Sequence, residues 1–174
     1  MASEISDRYI QYFTLFWLKQ GESKGFVDAD LGDDVDSSKS TSGYIYTICG
    51  TTVSWIYRLQ KCVSLSSTEA KYVAIAEAGK EMIWLVDYLE EFGNKKSEKI
   101  LYSDIQSSIL LVKNPVYHSN TKHIRRRYHF TRRAVEDGDM CFEKIEGAKN
   151  PTDMLTKCVY VGKLRLCKTS VDLL

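Results

Sequence analysis

Four acidic side chains that are far apart in the sequence stand where a fold could bring their oxygens together. They are Asp28 in the stretch GFVDAD, Glu69 at the start of a long periodic segment, Asp104 after a short strand pattern, and Asp153 after Asn-Pro-Thr. Each one alone fits a turn, a capping box or a favourable charge at a helix end. Oxygen ligands arriving from separate rigid elements are what two hard divalent cations need. The set of four therefore favours a metal site, with solvated turns as the alternative.

The GFVDAD stretch places two carboxylates on one side of a predicted strand. Side chains alternate between the two faces along a strand, so Asp28 and Asp30 point the same way. Asp, Gly and Ser crowd the following segment, LGDDVDSSKS. Such a composition is typical of a solvated turn. Taken alone, the stretch leaves both aspartates as equal candidates.

The remaining patterns predict the elements that would position these side chains. Short strands joined by turns suggest an antiparallel meander, and strands that then alternate with helices predict a mixed α/β sheet in one domain. The predicted strands cover residues 25–30, 44–49, 53–57, 100–103 and 140–145, and the helices cover residues 67–92, 105–112, 121–136, a short segment from 150, and 160–174. The buried stripe of the long helix is predicted from three- and four-residue steps as Ile75, Ala78, Met82, Leu85 and Leu89.

Composition narrows the class of protein. The chain has 174 residues, 44% of them hydrophobic and 27% charged, which is ordinary for one globular domain. Its five cysteines are scattered and form no CxxC pair, which argues against a disulfide framework or zinc knuckle and predicts an intracellular location. The aromatic segment 9–18 is too short to span a membrane and lacks the flanks of a signal peptide.

The net charge of +1 hides a strongly basic segment. Residues 105–135 contain no Asp or Glu, yet they hold seven Lys or Arg residues and all three histidines. A run of like charge is usually one solvated face, but a polyanion such as a nucleic acid is the partner that this segment would attract.

Eight sequence blocks follow one another between residues 25 and 157: GFVDAD, KSTSGY, QKCVSLSSTEAKY, EAGKEMIWL, YSDIQSSI, KNPVYHSNTKHI, RYHF and NPTDMLTK. In this order they resemble the ribonuclease H domain of copia-type LTR retrotransposon Pol polyproteins, most closely those of plants. The resemblance implies a ribonuclease H-like fold with a five-stranded mixed sheet whose first three strands are antiparallel. It places the domain at residues 25–158, after a helical remnant of the upstream polyprotein at 1–24 and before a helical extension at 159–174.

The resemblance also implies an activity, namely cleavage of the RNA strand of an RNA·DNA hybrid beside the reverse transcriptase region of a longer polyprotein. Asp28 and Asp153 would hold the Mg²⁺ ion that activates water. Asp28, Glu69 and Asp104 would hold a second Mg²⁺ at the leaving oxygen, and Mn²⁺ could substitute for either ion. Asp30 would support the ligands without binding an ion. The residues expected to follow the hybrid's phosphates are Lys122, Arg125, Arg126, Arg127, Arg132 and Arg133.

Two departures from the family pattern carry expectations of their own. The usual STEAEY reads STEAKY here. Lys71 is therefore expected to alter the surface charge near Glu69 and to leave that ligand in place. The strand that the family normally places before GFVDAD has no counterpart, because only residues 21–24 separate the preceding helical pattern from Gly25.

Three other interpretations stay open. A degenerate or domesticated copy could keep the fold and the basic face as a nucleic-acid-binding module without useful turnover. A purely structural domain would use the acidic residues as turns. A polymerase palm fragment, suggested by Gly32-Asp33-Asp34, would need that motif in a hairpin between hydrophobic strands, whereas the sequence places it in an acidic loop.

Overall fold

A computed structural model of the chain describes residues 23–32, 36–91, 99–104 and 122–173, except for the side chains of residues 122–126 and 128. The strands are β1 (Ser23–Asp30), β2 (Thr41–Ile48), β3 (Thr51–Leu59), β4 (Ile100–Ser103) and β5 (Cys141–Lys144). The helices are α1 (Ser67–Glu91), α2 (Lys122–Glu136), α3 (Asp153–Thr156) and α4 (Val161–Ser170). The predicted N-terminal helical remnant, apart from its last two residues, and the predicted helix at 105–112 lie outside the described residues.

The strands form one sheet in the order β3-β2-β1-β4-β5. The first three strands pair antiparallel, whereas β4 is parallel to β1 and β5 is parallel to β4. The predicted fold class is confirmed. Both edges of β1 are paired, by β2 along its whole length and by β4 from Lys24 to Val27. Within the described residues, β1 therefore has a neighbouring strand on each side, and the expected loss of an upstream strand stays a prediction.

Helix α1 packs its apolar stripe against the sheet. Of the five stripe residues predicted from the sequence, four are buried and Leu85 is partly buried. Removing a larger side chain of this stripe, such as Ile75 or Met82, from water stabilises the fold by roughly 1.5–3 kcal/mol. The Tyr46 hydroxyl donates a hydrogen bond to the carbonyl of Ala78 and so joins β2 to the middle of α1.

The C-terminal residues pack onto the sheet as well. Val171, just after α4, is fully buried, and its carbonyl accepts hydrogen bonds from the backbone N–H of Thr52 at 3.1 Å and from its side-chain hydroxyl at 2.6 Å. The division of the chain at residue 158 stays a prediction. Within the described part of the chain, no helix combines the length and apolar character of a membrane-spanning segment.

Gly25 allows α1 to approach the sheet closely. A Cβ atom at this position would lie 2.4 Å from Tyr46 Cε1, 2.7 Å from Met82 Cε and 2.8 Å from Leu101 Cδ1. All three of these side chains are themselves buried. The first position of the GFVDAD segment thus has no room for a side chain.

We expect Gly25→Ala to lower the free energy of unfolding by about 1–3 kcal/mol, because the added methyl group overpacks this contact. Urea denaturation measures the change. Gly147→Ala is the matched control, since the nearest atoms to a Cβ there belong to Asp104 and lie 3.8 Å away or more. An equal loss in both variants would show that close approach is not the reason for glycine at position 25.

Candidate functional site

Three of the four predicted carboxylates meet at one end of the sheet. Val27 of β1 lies opposite Ser103 of the parallel strand β4, so the next residues, Asp28 and Asp104, stand side by side. Asp153 reaches the same place from the start of α3. One carboxylate oxygen from each of the three aspartates lies within 4.8 Å of the other two. We call this group the aspartate cluster.

A buried polar network holds α3 against β1. Asn150 is fully buried, its side-chain amide donates to the carbonyl of Val27 at 3.2 Å, and its Oδ1 accepts from the backbone N–H of Thr152 at 3.2 Å. The Thr156 hydroxyl donates to Asp28 Oδ2 at 2.5 Å. The sequence pattern predicts a short helix from residue 150, with Pro near its first turn, but it assigns no role to Asn150 or Thr156.

The structure does not bring Glu69 to the aspartate cluster. Its Oε2 accepts a hydrogen bond from the backbone N–H of Leu65 at 2.8 Å, and its own N–H donates to the Ser66 hydroxyl at 3.1 Å. These two contacts close the first turn of α1 in the manner of a capping box. The capping interpretation of Glu69 therefore accounts for its position.

Lys71 enters the cluster from α1 instead. Its Nζ lies 2.6 Å from Asp104 Oδ1 and 3.0 Å from Asp28 Oδ1. Residues two apart on an α-helix are rotated by roughly 200°, so Glu69 and Lys71 face opposite sides of α1. The expectation that Lys71 would change only surface charge is wrong, because the lysine side chain is 7% exposed.

The sequence did contain a signal for this position. The buried stripe of α1 includes Ile75 and Ala78, and stepping back by four and by seven residues from these two leads to Lys71. A helix presents residues at such spacings on one face. The periodicity thus directed Lys71 toward the sheet and Glu69 away from it.

Two further lysines contact the cluster from the C-terminal region. Lys157 Nζ lies 2.9 Å from Asp28 Oδ2 and 3.0 Å from Asp153 Oδ1, and Lys163 Nζ pairs with Asp153 Oδ2. Lys157 follows Asp153 by four residues, a spacing at which opposite charges meet on a helix. Three ammonium groups thus face three carboxylates, and their formal charges cancel.

The ion pairs shift the acid–base behaviour of their members. Burial alone would raise the pKa of the Asp28 carboxyl, but the charge of Lys71 and the contacts with Thr156 and Lys157 together hold that pKa below its ordinary value. Burial would likewise lower the pKa of Lys157, yet its contacts with Asp28 and Asp153 raise it above the ordinary value. Both side chains therefore keep their charges at neutral pH.

The cluster offers oxygen ligands of the kind that a metal ion needs, but it does not fit two divalent cations as it stands. Such ions require an excess of negative oxygens. The Lys71 ammonium lies between the oxygens of Asp28 and Asp104 that would have to share an ion, at distances typical of charge-assisted hydrogen bonds. Asp28 Oδ1 is buried without any partner of hydrogen-bond geometry among the described residues, although Lys71 is 3.0 Å away.

Asp30 stands apart from the aspartate cluster. It is the last residue of β1, and its Oδ1 accepts a hydrogen bond from the backbone N–H of Leu31 at 2.9 Å. This contact closes the turn that follows the strand. The predicted supporting role of Asp30 stays a prediction.

The basic helix α2 divides its described arginines between two environments. Arg127 Nη2 lies 3.4 Å from Glu77 Oε1 of α1 and is mostly buried. Arg133 is 84% exposed, and its Nε lies 3.8 Å from Asp137. Arg132 pairs with Glu136 at the surface. The other predicted phosphate-binding residues are Lys122, Arg125 and Arg126, whose side chains are not among those that the structure describes.

Comparison with solved structures identifies the fold. The chain matches the ribonuclease H1 of the archaeon Halobacterium salinarum with a TM-score of 0.55 and 16% identity, over 78% of this chain and 94% of that one. It matches LC11 ribonuclease H1, solved in complex with an RNA/DNA hybrid, with a TM-score of 0.57 and 15% identity, over 77% of this chain and 93% of that one. The chain therefore has the ribonuclease H fold.

Comparison of sequences narrows the class further. The chain is 49% identical over 150 residues to the retrovirus-related Pol polyprotein from transposon TNT 1-94 of Nicotiana tabacum, a match that covers 86% of this chain and 11% of that protein. No protein-family model matches the chain. The family identified from the sequence blocks is confirmed: the chain belongs with the ribonuclease H-type domains of retrotransposon Pol polyproteins, and it spans about a tenth of the relative's length.

We expect Asp28→Asn to lower the free energy of unfolding by about 3–5 kcal/mol, because it breaks buried ion pairs and leaves lysine charges uncompensated. Asp30→Asn on the same strand is the matched control and should change that free energy by no more than about 0.5 kcal/mol. Urea denaturation at pH 7 compares the two variants. An equal loss of unfolding free energy in the two variants would show that the loss in Asp28→Asn does not come from its ion pairs.

The pH dependence of the same proteins gives a separate expectation. A carboxyl whose pKa is lowered by folding contributes stability above its ordinary pKa of 3.8 and loses that contribution as the pH falls through the lowered value. The wild-type protein should therefore lose more unfolding free energy than Asp28→Asn between pH 5 and pH 2. Urea titrations at several pH values measure this, and parallel curves would contradict the linkage.

Proposed function

We propose that this chain binds RNA·DNA hybrids as the ribonuclease H domain of a retrotransposon Pol polyprotein, and that the present sequence binds them without useful turnover. The observation that carries the proposal is the buried Lys71 ammonium, which lies between Asp28 and Asp104 inside the aspartate cluster. Hybrid binding is supported by the fold shared with LC11 ribonuclease H1, which was solved with an RNA/DNA hybrid. In a longer polyprotein, the neighbouring partner is the reverse transcriptase region.

The surface proposed for the hybrid's phosphates is helix α2. Arg133 is well exposed there and its contact with Asp137 is long, so its guanidinium can turn to a phosphate. Arg132 is 39% exposed, and its pair with Glu136 lies at the surface, where such a pair is worth little. Arg127 is proposed to hold α2 in position and not to bind phosphate directly, because it pairs with Glu77 of α1. Lys122, Arg125 and Arg126 complete the proposed phosphate-binding set.

Hydrolysis of the RNA strand is a second candidate function, and the convergence of three aspartates from separate elements favours it. Water would add to a phosphodiester: a new bond forms between phosphorus and the water oxygen, the bond to the ribose oxygen breaks, and that oxygen takes a proton. Two Mg²⁺ ions, or Mn²⁺ in their place, would supply the charge stabilisation. The Lys71 ammonium would have to leave the cluster before the aspartates could serve such a site.

One experiment separates the two candidates. The purified chain is titrated with a labelled RNA·DNA hybrid and with a DNA duplex of the same sequence, and the RNA strand is then followed with Mg²⁺ or Mn²⁺ present. We expect hybrid binding that weakens as salt is added, with no cleavage at high protein concentration. Cleavage by the wild type that is absent from Asp28→Asn protein shown to be folded under the same conditions would establish the second candidate. Absence of hybrid binding at low salt would contradict both.

We expect Arg133→Gln to weaken hybrid binding and to reduce the slope of log affinity against log salt by about 1, because one phosphate contact is lost. Lys99→Gln is the control. Lys99 immediately precedes β4, whereas Asp104 immediately follows it, so the lysine stands at the end of this strand away from the aspartate cluster, where it pairs with Asp87 at 3.3 Å. Fluorescence anisotropy at several salt concentrations measures both variants. An equal change in the two would remove α2 from the proposed interface.

A further inference from the structure

The structure assigns Lys71 to the fourth ligand position of the ribonuclease H metal site, where its ammonium group replaces the metal ions as the cation of the aspartate cluster. This inference rests on the proposed function and explains why turnover is lost. It also names the one side chain whose replacement should rebuild a cation-binding site.

The position of Lys71 follows from the geometry of α1. The family pattern STEAEY offers two glutamates, two residues apart, and only one of them can face the sheet. In this chain the first glutamate, Glu69, caps its own helix through the Leu65 N–H. The second position is Lys71, and its Nζ reaches both Asp28 and Asp104. A carboxylate at position 71 would therefore be the fourth member of the cluster.

Lys71 is the most deeply buried of the three lysines, with 7% of its side chain exposed against 19% for Lys163, so it is the least able to turn away from the cluster. Lys157 is 33% exposed and can turn its ammonium group to solvent when another cation arrives. Lys71 is 7% exposed and extends from the interior face of a 25-residue helix. A divalent ion placed between Asp28 and Asp104 would lie beside this buried ammonium, and two like charges at such a distance repel strongly where little water screens them.

The lone pairs of Asp28 support the same assignment. Oδ2 of Asp28 is occupied by the Thr156 hydroxyl and by Lys157. Oδ1 is buried and faces Lys71 at 3.0 Å without a hydrogen bond of good geometry among the described residues. This oxygen is therefore held by charge attraction to Lys71 and not by a well-aligned hydrogen bond. The cluster thus keeps the oxygens of a cation site while Lys71 supplies the cation.

The test measures metal binding directly. Wild-type protein, Lys71→Glu and Lys71→Gln are titrated with Mn²⁺ by calorimetry, and their melting temperatures are compared in Mg²⁺ and in EDTA. We expect no Mn²⁺ binding by the wild type at millimolar concentration, and an affinity at least about tenfold higher in Lys71→Glu. Lys71→Gln should lie between the two. Lys61→Glu is the matched control, since it makes the same charge change at an exposed loop position and should bind like the wild type.

Several outcomes would overturn the inference. One is Mn²⁺ binding by the wild type as tight as by Lys71→Glu. Another is loss of the gained binding when Glu69→Gln is added to Lys71→Glu, because the ligand would then be Glu69. If Lys71→Glu folds only with metal present, its melting difference between Mg²⁺ and EDTA becomes the supporting result. If it does not fold in either buffer, Lys71→Gln takes its place, and wild-type behaviour of that variant overturns the inference.

Hybrid binding is measured for the same proteins in EDTA, so that the two proposals can fail separately. Retained hybrid binding together with metal binding only in the Lys71 variants supports both proposals. Absence of hybrid binding by the wild type would contradict the proposed function. The assignment of Lys71 would still be decided by the metal titrations. Cleavage of the RNA strand by Lys71→Glu, but not by Lys61→Glu, is the final readout.

Discussion

The parallel pairing of β1 with β4 is the constraint on which the site depends. It sets Val27 opposite Ser103, and the next two residues are therefore Asp28 and Asp104 at adjacent strand ends. Two carboxylates forced together in a buried place repel each other, so the fold requires either a cation or a proton there. The Lys71 ammonium lies at this point and contacts both carboxylates.

The chain meets that requirement with lysines. Lys71 bridges Asp28 and Asp104, while α3 and α4 bring two more ammonium groups to Asp153 and to the far side of Asp28. A buried ion pair of this kind gains little over an apolar core, yet removing one partner leaves an uncompensated charge. The ion pairs of the cluster are therefore part of what stabilises the fold, and replacing one member alone is expected to lower the free energy of unfolding.

Much of the fold could be predicted because periodicity and turn residues report local structure directly. The bounds of β4 match the prediction residue for residue, and the apolar steps along α1 predicted its buried face. The entry of Lys71 into the aspartate cluster was missed for a specific reason. Motif similarity aligned a glutamate with a glutamate, whereas the rotation of α1 is set by Ile75 and Ala78 against the sheet. Asn150 and Thr156 contact β1, which is more than 100 residues away in the sequence, so no local sequence pattern predicts these contacts.

The residues proposed to bind the hybrid and the aspartates that cleavage would need lie on different elements of this fold. A change among the aspartates can therefore remove turnover and leave hybrid binding in place. The proposed phosphate contacts lie on α2, which is tied to α1 through Arg127 and Glu77. The aspartate cluster contacts α1 through a different residue, Lys71. A change of sign at position 71 therefore alters the cluster without touching the helix that would meet the phosphates. An ammonium group can balance the charge of buried aspartates, but it cannot polarise water as a divalent ion does. A lysine at position 71 therefore agrees with the proposed hybrid binding without turnover.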